Sequence, residues 1–150
     1  MYLYAKKYIM TKDFNNPKKD EAFDKKINKL VDVKTDIGKV KYITWEVMYW
    51  RKANAIHRWF VDNVQKGKDD CGSYSVDREQ LKDLFETIKR VLDNHDLAEE
   101  ELPTQSGFFF GGTEYDEWYW KDLERTYEKL NKLLKNKEIE DLDFEYHSSW

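Results

Sequence analysis

The stretch Ser75–Asp93, SVDREQLKDLFETIKRVLD, carries the clearest secondary-structure signal in the chain. Asp77 suits an N-cap, Gln80 stands at the capping-box position, and Val76 can pack on Leu81 as a hydrophobic staple. Apolar residues then recur three or four positions apart, at Leu81, Leu84, Phe85, Ile88, Val91 and Leu92. The pattern predicts an amphipathic helix whose apolar face belongs to the core.

Other segments on both sides of this helix are also predicted to be helical. Apolar spacing of alternately four and three residues predicts a helix from Thr44 to about Gln65. Another predicted helix has Thr113 as its cap and runs to about Leu134. A short helix is expected within the lysine-rich segment 11–33.

Strands are predicted near both ends of the sequence. Loose alternation of apolar and polar residues in 1–10 predicts a strand, and residues 31–43 predict a β-hairpin turning at 36–38. Alternation over 142–146, followed by Trp150, predicts a strand that docks on the body and pairs with the N-terminal strand. The predicted fold is α+β, with a three-helix core and a small antiparallel sheet in a single domain, 1–150.

Composition narrows the class of protein. Lysine and arginine total 26 against 30 aspartate and glutamate, so the net charge is only −4 and both signs are interspersed. A general nucleic-acid binder would be more basic, and a mimic of DNA would be far more acidic. The single cysteine, Cys71, forms no internal disulfide, and no long apolar run predicts a membrane span. An intracellular protein with no membrane partner is expected.

Asn54 and His57 stand on the otherwise apolar stripe of the helix predicted from Thr44. A buried amide or imidazole without a partner costs about 1–3 kcal/mol, so each residue must find hydrogen bonds or line a cavity. The sequence leaves both alternatives open: a satisfied polar pair inside the core, or the wall of a pocket.

The stretch 103–120, PTQSGFFFGGTEYDEWYW, raises the same choice between core and site. If it is extended, Phe109 points away from its two phenylalanine neighbours, so both sides of the chain need cover. Glu114, Asp116 and Glu117 are expected to repel a phosphate from the start of the following helix. That end suits a hydroxyl, an exocyclic amine, a guanidinium or a metal ion instead.

Catalytic patterns are weak. No spacing brings His57, His95 or His147 together with a carboxylate as an acid–base pair, and no nucleophile elbow is present. Metal-ligand motifs are also missing, so we predict no metal, no cofactor and no catalytic residue. A binding protein is therefore favoured over an enzyme with an unrecognised site.

Three segments resemble small accessory proteins of tailed bacteriophages and prophages: YWRKANAIHRWFVDNVQ (49–65), LPTQSGFFFGGTEYDEWYWKDL (102–123) and the ending YHSSW. The resemblance spans about residues 49–150. It implies a phage protein that acts in the host cell cytoplasm, and it supplies no reaction or ligand. By analogy with other accessory phage proteins, it implies host takeover or counter-defence through binding.

Two binding hypotheses follow. In the first, segments 50–59 and 105–120 bound a pocket that holds a small nucleotide-like ligand, and the protein would sequester an immune signal. Its candidate residues are Trp50, Arg51, Lys52, Asn54, His57, Trp59, Gln105, Phe109, Glu114, Asp116 and Trp118. In the second, exposed aromatic and acidic residues dock on a host defence protein such as a nuclease, which would be inhibited. The remaining interpretation is that the aromatic rings only pack the core. The sequence does not determine the oligomeric state, and a homo-oligomer is possible.

Overall fold

The computed structural model describes residues 1–9, 16–33, 38–107 and 112–149. Nine helices and strands are present within these ranges, together with 3-10 turns at His95–Leu97 and Lys137–Ile139. In chain order they are β1 (Tyr2–Tyr8), α1 (Pro17–Leu30), β2 (Tyr42–Tyr49), α2 (Asn54–Asn63), β3 (Ser73–Val76), α3 (Arg78–Asp93), α4 (Ala98–Glu101), α5 (Glu117–Lys135) and β4 (Asp143–His147).

The four strands form an antiparallel sheet in the order β2-β1-β4-β3. Leu3 of β1 pairs with Tyr146 of β4, and Ala5 pairs with Phe144, so the first and last strands are neighbours. All four of these side chains are buried. The predicted α+β class is therefore confirmed, and so is the pairing of the N-terminal strand with the C-terminal one.

The helix predicted from Ser75–Asp93 is confirmed as α3. The Asp77 side chain accepts a hydrogen bond from the Gln80 N–H at 2.7 Å, and the Gln80 side chain accepts one from the Asp77 N–H at 3.0 Å. Leu84 and Ile88 are fully buried, and α3 packs against α5. The apolar face of α3 thus lies in the core, as its spacing predicts.

Aromatic rings fill the junction between the sheet and the helices. Phe60 of α2 stacks on Tyr146 with ring centroids 4.0 Å apart, and Trp50 packs beside both rings. The Trp50 indole N–H donates to the Thr126 hydroxyl at 2.8 Å, which joins the end of β2 to α5. This aromatic cluster fixes the chain segment that follows β2.

The helix predicted from Thr44 to about Gln65 is wrong in its first half. Residues Tyr42–Tyr49 form β2, and the helix begins only at Asn54. The helical spacing was misleading because β2 contains a bulge: Leu3 pairs with Met48 and Tyr4 with Glu46, so Val47 is an extra residue. An inserted residue breaks the two-residue period of a strand and makes it resemble a helical one.

Two further predictions need correction. Thr113 does not cap the last helix; α5 begins at Glu117, and the Asp116 side chain accepts from the N–H groups of Trp118 and Tyr119. Residues 31–33 follow α1 as a turn and do not form the first strand of a hairpin. The predicted hairpin turn itself falls partly on 34–37, outside the described residues.

None of the helices in the described ranges is long and apolar enough to cross a membrane.

Candidate functional site

A cavity of about 420 Å³ lies between the start of α2 and the start of α5. Small-molecule sites commonly enclose about 300–1,000 Å³, so this cavity has the size of a site for one small ligand. Three chain segments line it: the turn after β2 with the first turn of α2, the connection between α4 and α5, and the first turns of α5.

The first wall is the start of α2, which brings cations and free amide groups together. Arg51 and Lys52 precede the helix, and both line the cavity. No side chain caps α2, and no acceptor in the described ranges meets the N–H groups of Asn54, Ala55 and Ile56. Unmatched amides at a helix N-terminus, next to two cations, favour an anionic group.

Lys52 holds its backbone in the left-handed region, with φ of 65°. This conformation costs a residue with a Cβ roughly 1–2 kcal/mol relative to glycine. The backbone therefore retains strain at the point where the cation enters the cavity wall.

We expect the Lys52→Gly variant to have a free energy of unfolding about 0.5–1 kcal/mol above that of wild type, because glycine relieves this strain. Urea unfolding measures the change. Lys52→Ala is the matched control, since it also removes the ammonium group but keeps the Cβ. A glycine variant less stable than the alanine variant would contradict the assignment of strain.

The opposite wall is one stripe of α5. Trp118, Asp122 and Arg125 are four and three residues apart, so they lie on the same face of the helix, and all three line the cavity. Trp118 is 70% exposed, and the Lys121 ammonium lies 5.2 Å from the centre of its ring. The wall thus offers an accessible aromatic ring, a carboxylate and a guanidinium.

Asp122 is the most perturbed carboxyl of the cavity. Burial raises its pKa to about 6, the nearby Arg125 lowers it, and Asp116 raises it further. No hydrogen bond to its carboxylate comes from the described residues; the Thr126 hydroxyl donates to its backbone carbonyl. A partly desolvated carboxylate without donors is destabilising and is ready to accept hydrogen bonds from a ligand.

Asp122→Asn is expected to raise the free energy of unfolding by about 1 kcal/mol at pH 7.5, a value reduced for residual solvent screening. The pKa of this carboxyl is higher in the folded than in the unfolded protein, where it is 3.8. The folded protein therefore takes up a proton as the pH falls through about 6, and the penalty of the carboxylate disappears.

Denaturant unfolding of both proteins between pH 4 and pH 8 tests this linkage. The free energy of unfolding of Asp122→Asn should exceed that of wild type most above pH 6, and the two values should be nearly equal near pH 4. A difference that does not change with pH would show that Asp122 carries no such penalty.

Hydrogen bonds hold residues 104–105 and 112–113, in the connection between α4 and α5, beside the start of α2. The Asn54 amide donates to the Gly112 carbonyl at 2.9 Å, and its oxygen accepts from the Gln105 N–H at 3.4 Å. The Thr104 hydroxyl donates to the Thr113 carbonyl at 2.8 Å. The sequence predicts that Asn54 either is hydrogen-bonded in the core or lines a pocket. Both hold, because its side chain is buried, hydrogen-bonded and part of the cavity wall.

The structure brings six of the predicted site residues to this cavity, and it places four others elsewhere. Those at the cavity are Arg51, Lys52, Asn54, Glu114, Asp116 and Trp118. Those that do not line it are Trp50, His57, Trp59 and Gln105. Phe109 lies outside the described residues.

Each of the four displaced residues has a structural partner. Trp50 bonds Thr126 as described above, and Trp59 packs edge-on against Phe60 in the core. The Gln105 side chain lies 3.4 Å from an Asp69 carboxylate oxygen. Trp50 does not line the cavity because it follows β2 and is buried in the core instead of lying on a helix face.

His57 forms the close histidine–carboxylate pair that an enzyme would need, but it is fully enclosed. Its Nε2 lies 2.9 Å from Asp69 Oδ1, and its Nδ1 lies 2.6 Å from the Tyr146 hydroxyl. Since a carboxylate only accepts, Nε2 carries the proton and Tyr146 donates to Nδ1. Burial lowers the pKa of His57 and, more strongly, raises that of Tyr146. Both ring nitrogens are occupied, so this chain of three residues stabilises the core.

Sequence reasoning did not identify Asp122, Arg125 or Tyr119 as cavity residues. Tyr119 is buried, and its hydroxyl donates to the Leu102 carbonyl at 2.9 Å. Asp122 and Arg125 fall on the polar side of the apolar stripe of α5, a pattern that ordinarily indicates solvent. Their spacing from Trp118 is the only signal that could have linked them to the site.

Comparison with known families, with curated proteins and with solved structures gives no match to this chain. Among the residues that the structure describes, no cluster of histidine, cysteine, aspartate or glutamate could hold a metal ion.

Proposed function

We propose that the protein binds a small nucleotide-like ligand in the cavity between α2 and α5. The observation that carries this proposal is the pairing of two chemically different walls. One has Arg51, Lys52 and the first N–H groups of α2, which meet no acceptor among the described residues; the other has Trp118 and Asp122. A ligand with an anionic group at one end and a flat polar ring at the other matches both walls.

Each part of such a ligand has a chemical counterpart in the cavity. The phosphate meets Arg51, Lys52 and the start of α2, because cations and a helix N-terminus favour an anion. The base stacks on the exposed ring of Trp118. Carboxylates of Asp116 and Glu114 accept from ribose hydroxyls, which are donors of the kind expected at this end of α5.

The volume limits the ligand further. About 420 Å³ lies in the lower part of the usual range, which favours a single nucleotide unit over a long oligonucleotide. A net charge of −4 also disfavours general binding to nucleic acid. In the bacteriophage setting that the sequence resemblance implies, the protein would act in the host cytoplasm and sequester a nucleotide signal of host defence.

A thermal-shift screen of the purified protein tests this proposal. The compounds are mononucleotides, cyclic mono-, di- and trinucleotides, ADP-ribose derivatives and divalent metal ions. A ligand at a hundredfold excess over its Kd adds about 2.7 kcal/mol, which raises Tm by about 5–10 °C for a chain of this size.

The shift should be lost in Arg51→Ala, which removes a cation assigned to the phosphate, and kept in Lys89→Ala, which removes an exposed cation of α3 outside the cavity lining. If no compound raises Tm, binding of a nucleotide-like ligand is excluded.

A second candidate function is docking on a host protein, and the exposure of Trp118 favours it. A large aromatic ring that is 70% exposed is typical of an interface residue. Tyr119, the aromatic residue next to Trp118, is buried and therefore does not contribute to such a patch. If docking is the function, wild type should capture a host protein from infected lysate and Trp118→Ala should not. No nucleotide should then raise the Tm of either protein.

A further inference from the structure

We propose, on the basis of the nucleotide site inferred above, that the ligand carries guanine and that the Asp122 carboxylate binds its Watson–Crick edge. Guanine presents two adjacent donors there, N1–H and the N2 amine. A carboxylate has two oxygens that only accept, so it can take both hydrogen bonds at once.

Asp122 is the carboxylate of the cavity that is best prepared for this role. Asp116 already accepts at Oδ1 from the N–H groups of Trp118 and Tyr119, at 2.9 and 3.1 Å, as the cap of α5. Glu114 is exposed and hydrated. Asp122 alone among these three is partly buried, lines the cavity and accepts no hydrogen bond on its carboxylate from the described residues.

The position of Asp122 on α5 supports a base contact instead of a phosphate contact. It lies one turn after Trp118 on the same face, so a ring stacked on the indole would present its edge toward the carboxylate. A phosphate in that place would be repelled. Desolvation around Asp122 also strengthens its hydrogen bonds relative to those of an exposed carboxylate.

Adenine would fit this carboxylate poorly. Its edge offers one donor, the N6 amine, beside the acceptor N1, which would face the second carboxylate oxygen. Protonated Asp122 would reverse that preference, since a carboxylic acid donates to N1 and accepts from the amine. The raised pKa, about 6, makes this reversal measurable between pH 5 and pH 7.5.

Other charged groups of the cavity also enter this pH dependence. Arg125 and Asp116 act directly on the pKa of Asp122, and Arg51, Lys52 and Glu114 line the same cavity. Comparison with a variant of Asp122 separates the contribution of this carboxyl from that of the other charged groups.

Isothermal titration calorimetry with the 3′,5′-cyclic monophosphates of guanosine, inosine and adenosine tests the inference. Their phosphodiesters do not titrate in this range and are identical, so differences in affinity report on the base. For wild type at pH 7.5 we expect cyclic GMP to bind about ten- to a hundredfold more tightly than cyclic AMP, with cyclic IMP between them. At pH 5 the preference should shrink.

The decisive variant is Asp122→Asn, which keeps the shape of the side chain. An amide accepts on one side and donates on the other, so it matches adenine and opposes the guanine amine. We expect cyclic GMP to lose at least about tenfold in affinity and cyclic AMP to bind as well as before or better. Glu124→Gln, a change of the same kind on the exposed surface of α5 and outside the cavity lining, should leave both affinities and their ratio unchanged.

The outcomes separate this inference from the proposed function. Binding of cyclic nucleotides without preference for guanine, or an unchanged ratio in Asp122→Asn, would overturn the role of Asp122 and leave the nucleotide site standing. No binding by any of the three, at the highest concentration that calorimetry allows, would overturn the assignment of guanine, whereas the nucleotide site itself is overturned only if the thermal-shift screen also finds no ligand.

Discussion

His57→Ala is expected to lower the free energy of unfolding by about 3–4 kcal/mol. The imidazole is fully buried, and its loss leaves the Tyr146 hydroxyl without an acceptor and Asp69 without its donor. Unpaired buried groups cost about 1–3 kcal/mol each, and the cavity left by the ring adds to the loss. Urea unfolding at pH 7.5, followed by tryptophan fluorescence, measures the change.

His95→Ala is the matched control for this variant. His95 is exposed and stacks on Trp120 with ring centroids 3.8 Å apart, so its loss should cost less than about 1 kcal/mol. If His57→Ala were as stable as His95→Ala, the assignment of His57 to the core would be wrong, and a role in binding or catalysis would have to be considered again.

The same variant also has a defined pH dependence. Burial lowers the pKa of His57 below its unfolded value of 6.5, so the unfolded chain binds a proton that the folded protein rejects. The stability contributed by neutral His57 is therefore present above pH 6.5 and is lost as the pH falls below it. The gap between wild type and His57→Ala should shrink from pH 7.5 to pH 5.

Arg51→Glu is expected to weaken nucleotide binding by about a hundredfold or more. Under the proposed function it would remove a charge-assisted hydrogen bond to the phosphate, which contributes about 1.5–3 kcal/mol, and it would add repulsion between a carboxylate and the phosphate. Arg51 is exposed at the cavity, so the fold should not change. Calorimetry with the ligand that gives the largest thermal shift measures the loss.

Lys89→Glu controls for net charge, since it makes the same change of two units on the exposed surface of α3. It should alter affinity by less than about threefold at 0.15 M salt, where charges farther apart than about 8 Å are largely screened. Equal losses in the two variants would mean that Arg51 contributes only to the overall field of the protein and does not contact the ligand.

The predictable parts of the fold are those in which local and long-range interactions favour the same structure. In α3, the cap at Asp77 and the stripe through Leu84 and Ile88 agree, so the sequence predicts the element correctly. In β2, pairing with β1 requires a bulge at Val47, and only the partner strand reveals it. The apolar spacing of this segment therefore fits a helix as well as a strand interrupted by a bulge, and the sequence alone does not distinguish the two.

The candidate site was predictable in part for a similar reason. Arg51, Lys52 and Asn54 lie beside the start of one helix, and Asp116 and Trp118 beside the start of another, where polar residues commonly serve a site. Asp122 could not be identified, because a polar residue on a helix faces either solvent or a cavity and the sequence is the same in both cases. Whether any of these residues binds a ligand stays a prediction.

The place of β1 in the sheet affects how the chain folds during synthesis. β1 is central, yet one of its two partners is β4, and the Lys6 ammonium donates to the carboxylate of Glu145, 139 positions later in the chain. A ribosome adds about 5–20 residues per second, so β1 waits roughly 7–30 s for this partner. Until then the edge of β1 that pairs with β4 stays open, and pairing with strands of other chains competes with folding. Rapid expression at high temperature should therefore favour aggregation, and slow expression in the cold should favour native protein.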